Sequence, residues 1–316
     1  MKLRPLGRSG IEVSPLCFGG NVFGWTADEA ASHAMLDRFV DAGFNFIDTA
    51  NVYSFWVDGH QGGESESVIG RWLRKSGKRD RVVIATKVGM AMPELGEGLD
   101  RARIERSVDD SLRRLQTDRI DLFYAHKDDD KTPMEETLAA FDRLVRAGKV
   151  RTIGASNFSG ARLEQALALS QREGLARYEC LQPQYNLVDR QPFESDLAPV
   201  CLKHGVAVAN FFSLASGFLS GKYHRLEDTE GRARAPRLKN YFNDRGMRIL
   251  EALLAVSTRL GTTPSTVAIA WTMAQPSITS AIASATSVAQ LDELLRAAEL
   301  RIDAASMAQL QAASAA

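Results

Sequence analysis

Several polar side chains close otherwise apolar runs of this chain. Asp48 ends the run 44–48, Lys87 ends 82–87 and His126 ends 120–126; Ser156 with Asn157, Gln184 and Phe211 lie at the ends of three more. A carboxylate, an amine and an imidazole brought to one place can give and take protons. An amine in such a place can also attack a carbonyl to form a Schiff base. Taken singly, each residue has a plainer role: Asp48 as a helix cap, Lys87 as a solvated strand end, His126 as a rim histidine. What gives them weight is a fold that would gather strand ends.

The chain provides eight such runs, 13–20, 44–48, 82–87, 120–126, 150–156, 178–185, 206–212 and 278–284. They lack clean polar–apolar alternation, as expected of strands buried on both faces. Amphipathic helical segments alternate with them. Thr26-x-x-Glu29 reads as a capping box, with Met35, Leu36, Phe39 and Val40 on one face and Gly43 as the stop. Ile104, Val108, Leu112 and Leu115 repeat at helical spacing, and Thr132-Pro133 opens a helix that stops at Gly148. Eight βα units predict an α/β (β/α)8 TIM barrel with long loops at its C-terminal face, as one domain over 1–316. An open doubly wound sheet is the competitor, but no GxGxxG follows the first strand. Lys2–Leu6 and Ile11–Val13, around Gly7 and Gly10, predict an N-terminal β-hairpin closing the barrel floor. Segments 51–63 and 213–243 exceed ordinary loop length, so they are expected to serve the site.

Composition narrows the classes. Lys+Arg and Asp+Glu both number 39, so no concentrated basic surface points to nucleic acid or an anionic membrane. Cys17, Cys180 and Cys201 stand in apolar contexts without a CxxC pair and read as buried thiols. The five histidines show no HxH or HxxxH pairing, so no metal is expected. No signal-like or membrane-spanning apolar stretch is present, which makes the cytoplasm the expected location. The tail Ala312–Ala316 is expected to fray.

Asp48-Thr49-Ala50-Asn51-Val52-Tyr53 resembles the DTAxxY signature of the aldo-keto reductase superfamily. Thr86-Lys87, Asp121–His126, Gly154-Ala155-Ser156-Asn157, Gln182-Pro183-Gln184-Tyr185-Asn186 and Gly217–Tyr223 match further blocks in order, as does Gly63–Glu66 before Ile69-Gly70. The likeness extends nearly end to end and includes the branch of potassium-channel β subunits. It implies NAD(P)H-dependent reduction of aldehydes and ketones. Tyr53 would be the proton donor, Lys87 would lower its pKa, Asp48 would orient Lys87, and His126 would align the carbonyl. A Schiff-base role for Lys87 fits less well with a carboxylate–tyrosine pair beside it.

The resemblance also implies a cofactor path. Ser156, Asn157 and Gln184 would hold the carboxamide and Phe211 would stack on the ring; Gly20, Ser213, Leu214, Gly217, Leu219 and Lys222 would line the pyrophosphate. At the far end stand Ser284, Thr286, Gln290 and Glu293, with no cation from Ser284 to Gln290. NADPH is the expected cofactor, with NADH as the second candidate. Trp25, Phe55, Trp56 and Phe158 are expected to line an apolar pocket for a small carbonyl substrate. The alternative function is a nucleotide-sensing partner protein with slow turnover, although no extended segment precedes the barrel as a docking region. A monomer is expected, with a homo-oligomer as the alternative.

Overall fold

The runs are apolar on both faces because one face fills a barrel and the other meets helices. The computed structural model describes residues 1–92, 96–231 and 235–315. Strands β1 (Arg4–Pro5) and β2 (Glu12–Val13) pair antiparallel as a hairpin. β3 (Leu16–Gly19), β4 (Phe46–Asp48), β5 (Val83–Val88), β6 (Ile120–Ala125), β7 (Val150–Ser156), β8 (Tyr178–Gln182), β9 (Ala207–Asn210) and β10 (Ser280–Ala283) follow. They close into a barrel in the order β10-β3-β4-β5-β6-β7-β8-β9, with parallel pairing between neighbours.

Helices α1 (Glu29–Asp41), α2 (Glu64–Ser76), α3 (Arg101–Leu115), α4 (Met134–Arg146), α5 (Gly160–Glu173) and α6 (Ala198–His204) alternate with the strands as far as β9. α7 (Ala235–Leu238), α8 (Asp244–Arg259) and α9 (Pro264–Met273) precede β10; α10 (Val288–Arg296) and α11 (Ala304–Ser314) follow it. None of the described helices is long and apolar enough to cross a membrane.

The core has two parts. Inside the barrel, Cys17, Phe46, Ala85, Leu122, Tyr124, Cys180 and Ala209 pack together, and Leu6, Ile11 and Val13 of the hairpin join them from below. The hairpin therefore does close the floor, and its turn docks where Arg8 N donates to Glu179 Oε2. Cys17, Cys180 and Cys201 are buried free thiols. Gly154 makes room for Tyr124, whose hydroxyl meets Cys180 Sγ at 3.1 Å.

Several boundaries differ from the sequence expectation for local reasons. Pro183 has no N–H to give a neighbouring strand, so β8 ends at Gln182 instead of running to 185. The run 13–20 is divided: Val13 belongs to the hairpin and the barrel strand starts at Leu16, after Pro15. Helix α1 is capped by Asp28, which accepts from Ala31 N at 2.8 Å, and not by Thr26. Thr26 Oγ1 donates to Val22 O instead. The tail does not fray through 312–314: Ser314 ends α11, its Oγ accepts from Arg190 and its carbonyl from Arg245. Ala316 lies outside the described residues.

The segment 213–243 carries short turns of 3-10 helix and α7 where described, and Tyr241 anchors its far end by donating to Asp189 Oδ2. Its near end is tightly bent, with Phe212, Ala215 and Ser216 in left-handed conformations. Ordinary residues adopt these only where the surroundings enforce them.

A Cβ at Gly154 would lie 2.5 Å from the Tyr124 ring and 2.7 Å from Cys180 O. Gly154→Ala should therefore cost about 1–3 kcal/mol by overpacking. A thermal melt would check this, and an unchanged Tm would contradict the packing described.

Candidate active site

Strand periodicity sets the site. In β5, Thr86 points outward, where its hydroxyl donates to Glu66 Oε1 at 2.6 Å, so Lys87 must point into the barrel mouth. Glu66 is buried on α2 and also accepts from Arg114 Nε on α3 at 2.7 Å. Its neighbour Ser65 bonds Thr49 Oγ1 and donates to Gly20 O. The start of α2 is thereby tied to the ends of β3, β4 and β5.

Lys87 is wholly buried, and its ammonium has three protons to place. They go to Asp48 Oδ2 at 2.7 Å, Thr49 O at 2.7 Å and Tyr53 Oη at 2.8 Å. Asp48, also buried, accepts from Lys87 and, at 3.1 Å, from the Tyr53 hydroxyl on Oδ2, and from Gln182 Nε2 at 2.8 Å on Oδ1. His126 follows β6, and its ring centroid lies 6.2 Å from that of Tyr53. Asp48, Lys87 and His126 from the strand ends, and Tyr53 from the loop after β4, thus lie together. Among the described residues no cluster of His, Cys, Asp or Glu suits a metal ion.

The model of the Aldo/keto reductase family matches residues 15–315. The chain belongs to the aldo/keto reductase family. It is 35% identical to the oxidoreductase YrpG of Bacillus subtilis over 96% of this chain and 93% of that protein. A probable voltage-gated potassium channel subunit beta of Arabidopsis thaliana is 32% identical over 95% of this chain and 92% of that one. L-glyceraldehyde 3-phosphate reductase of Escherichia coli is 31% identical over 94% and 87%, respectively. The chain is accordingly an oxidoreductase, of a family that typically works with a nicotinamide cofactor.

In this aldo/keto reductase the electrostatics depart from one expectation. Tyr53 does not have a lowered pKa. Burial, and then the Asp48 carboxylate, push it well above the usual phenol value. Asp48 also neutralises Lys87 from 2.7 Å, so the phenol faces an ion pair and not a bare cation. Tyr53 is therefore a neutral O–H. Burial also lowers the Lys87 pKa, against the raising effect of Asp48. Burial, then the Lys87 charge, hold His126 well below the ordinary imidazole value, so it stands neutral.

The remaining expected residues divide. Ser156 ends β7 and donates to Gln182 O; Asn157, in a left-handed conformation, donates from its amide to His126 O and to Ser156 Oγ. Gln184 does not join the cluster. It is exposed and donates to Asp189, and the amide that reaches Asp48 is that of Gln182. Parity along the strand carried that signal, because Cys180 and Gln182 share the inward face and Pro183 ends the strand. Phe158 is also displaced from its expected place: it is buried in the outer core, edge-on to Tyr178 at 5.6 Å.

Trp56 lies against Tyr53, and Trp25 lies against Trp56. Their rings meet edge-on at 5.8 Å, and Trp56 meets Tyr53 at 6.2 Å while remaining 51% exposed. Phe55 is half-buried on the same loop.

On the other side of the mouth, Gly20 N donates to Asp48 O and Phe211 is half-buried next to Phe212. Ser213 Oγ donates to Ile282 O, Leu214 is half-buried, and Leu219 is wholly buried in the outer core. Gly217 has a φ of 104°, and Lys222 is exposed with its ammonium 4.9 Å above the Tyr223 ring. Ser284 donates to Asn21, Thr286 donates through both N and Oγ1 to Gln290 Oε1, and Glu293 accepts from Thr263.

Two outcomes are expected. The His126 ring should stay neutral by NMR at pH ~6.5, where a free imidazole is half protonated; a midpoint at or above that value would contradict its burial. Lys87→Met strands the buried Asp48 charge and should destabilise the fold by about 3–5 kcal/mol, readable in denaturant unfolding.

Proposed function

We propose that this oxidoreductase reduces aldehydes and ketones to alcohols, with Tyr53 protonating the carbonyl oxygen as hydride arrives at the carbonyl carbon. The observation that carries the reading is the direction of the Tyr53 hydrogen bonds. Lys87 fills the Tyr53 oxygen as a donor, so the phenol's own proton must point elsewhere. Its present acceptor, Asp48 Oδ2, is distant at 3.1 Å and already holds Lys87 at 2.7 Å. A carbonyl oxygen gathering negative charge would compete for that proton. Neutral His126 is suited to donate a second hydrogen bond to the same oxygen without adding charge.

The residues fit a nicotinamide dinucleotide, which when bound supplies the hydride. Ser156 and Asn157 offer a hydroxyl and an amide at the strand ends, and Phe211 offers an aromatic face. Lys222 has no carboxylate partner among the described residues, as suits an ammonium awaiting phosphate. Gly217 leaves room, since a Cβ there would meet nothing nearer than 3.9 Å. At the far end, Ser284, Thr286 and Gln290 offer hydroxyls and amides to a ribose or its phosphate. NADPH is the proposed coenzyme, with NADH second. Trp25, Trp56 and Phe55 are the proposed apolar wall for a flat or bulky carbonyl substrate. The whole chain, 1–316, acts as a single unit, monomeric and cytoplasmic.

A second reading, a nucleotide-sensing partner of slow turnover, rests on the likeness to the plant channel subunit. Rates separate the two. With 4-nitrobenzaldehyde and NADPH, Tyr53→Phe should reduce kcat by at least ~10²-fold. A wild type that binds NADPH but scarcely turns over a panel of carbonyls would favour the partner reading, and one that binds neither nucleotide would defeat both. Trp56→Ala should raise KM for aromatic aldehydes about 10-fold while sparing short aliphatic ones, as expected of lost apolar contact. Equal effects on both would remove Trp56 from the pocket.

A further inference from the structure

The corner that carries Phe211 is held from two sides by buried asparagine amides that have no part in the proposed chemistry. We infer that Asn186 and Asn210 are positioning residues for the nicotinamide half of the nucleotide: they fix the turn at Phe212 and so set the face that Phe211 presents to the ring. This rests on the reading of Phe211 as the ring's stacking partner.

Strand parity aims Phe211. Ala209 belongs to the barrel interior, so Asn210 points outward and Phe211 inward over the mouth. An isolated bridge between Gln184 and Phe211 carries the pairing past the ends of β8 and β9. Its bonds are Phe211 N to Pro183 O at 2.9 Å and Tyr185 N to Phe211 O at 3.3 Å. Phe212 then turns into the left-handed region with a φ of 57°, followed by Ala215 at 47° and Ser216 at 59°. A bulky residue holds such backbone only where its surroundings over-determine it.

The asparagines supply that constraint. Asn186, wholly buried, donates from Nδ2 to Phe212 O at 3.0 Å and to Asp189 Oδ2 at 2.9 Å, while its Oδ1 accepts from Val188 N and Asp189 N. Both donors and both lone pairs of that amide are used. Asn210, equally buried, donates from Nδ2 to Tyr185 O at 2.7 Å and to Ser213 Oγ at 3.1 Å. Ser213 in turn donates to Ile282 O at 2.8 Å, so the corner is tied to β10 as well. No donor from the described residues reaches Asn210 Oδ1. An unmatched buried oxygen costs stability, so what Asn210 contributes lies in the two N–H groups that bracket Phe211. The bonds these amides donate go to the 185–189 turn and the 212–213 corner, and none goes to Asp48, Tyr53, Lys87 or His126.

The test is fluorescence titration of the full chain with NADPH and, separately, with 2′,5′-ADP, which lacks the nicotinamide half, alongside thermal melts. Asn210→Leu keeps the branched shape and removes the donors together with the unmatched oxygen. It should weaken NADPH binding about 10-fold, the size of an aromatic stacking contribution, and leave 2′,5′-ADP within about 2-fold. Asn186→Ser can still accept from the turn but is too short to reach Phe212 O, and should do the same. Since both act through one ring, adding either to Phe211→Ala should cause no further loss of NADPH affinity. Equal losses for both nucleotides, undiminished NADPH binding, or losses that add to that of Phe211→Ala would overturn the inference. A wild type that binds neither nucleotide, or a Phe211→Ala protein that binds NADPH as the wild type does, would instead defeat the reading beneath it.

Discussion

A lysine ammonium shut away from water must place three protons on three acceptors, and the mouth of this barrel is arranged around that demand. Thr49 O, Asp48 Oδ2 and Tyr53 Oη answer it. Removing a charge from water costs several kcal/mol even after relaxation, and the cost is met only where geometry is close and every remaining lone pair is satisfied. Satisfying Lys87 brings in Asp48, which brings in Gln182 from the opposite wall and fixes the tyrosine oxygen. The arrangement at the barrel mouth is thus what remains when a buried cation is fully satisfied. Its ordering is supported from outside by Glu66, which holds Thr86 and Arg114 behind the strand that carries Lys87.

The same demand explains why the phenol is not acidic. A lysine alone would draw the proton away, but a lysine already matched by a carboxylate presents a dipole, and burial then favours the neutral phenol. On the proposed reading, Tyr53 keeps its proton until an acceptor better than Asp48 arrives. The hydrogen-bond donors of the site are prepared in advance, and no group there needs to change its charge before the substrate binds.

Much of this was legible in the sequence. Barrel, hairpin, long loops and the gathering of Asp48, Tyr53, Lys87 and His126 follow from apolar runs with polar ends and from motif order. What failed depended on local detail. The apolar run 178–185 reads through Pro183 to Gln184, whereas the ladder stops at Gln182. Thr26 was taken as a cap because the capping-box spacing suited it, although Asp28, one residue before the helix, does that work. Phe158 has the composition of a pocket residue, and only packing against Tyr178 shows it to be core. Chain ends commonly fray, but here Arg190 and Arg245, far away in sequence, hold Ser314.

Those arginines tie distant parts of the chain to one place. Arg190 donates to Ser314 Oγ, while next to it Asp189 accepts from Gln184, Asn186 and Tyr241, the last from the far end of the long rim segment. Arg245 adds a bond from the head of α8 to Ser314 O. The hairpin side of the barrel and the α11 side are therefore unequal as attachment points. A tether on the hairpin pulls on the barrel floor, whereas one on α11 pulls on the clasp that holds the long rim segment. For immobilisation on a surface, the hairpin is the quieter handle.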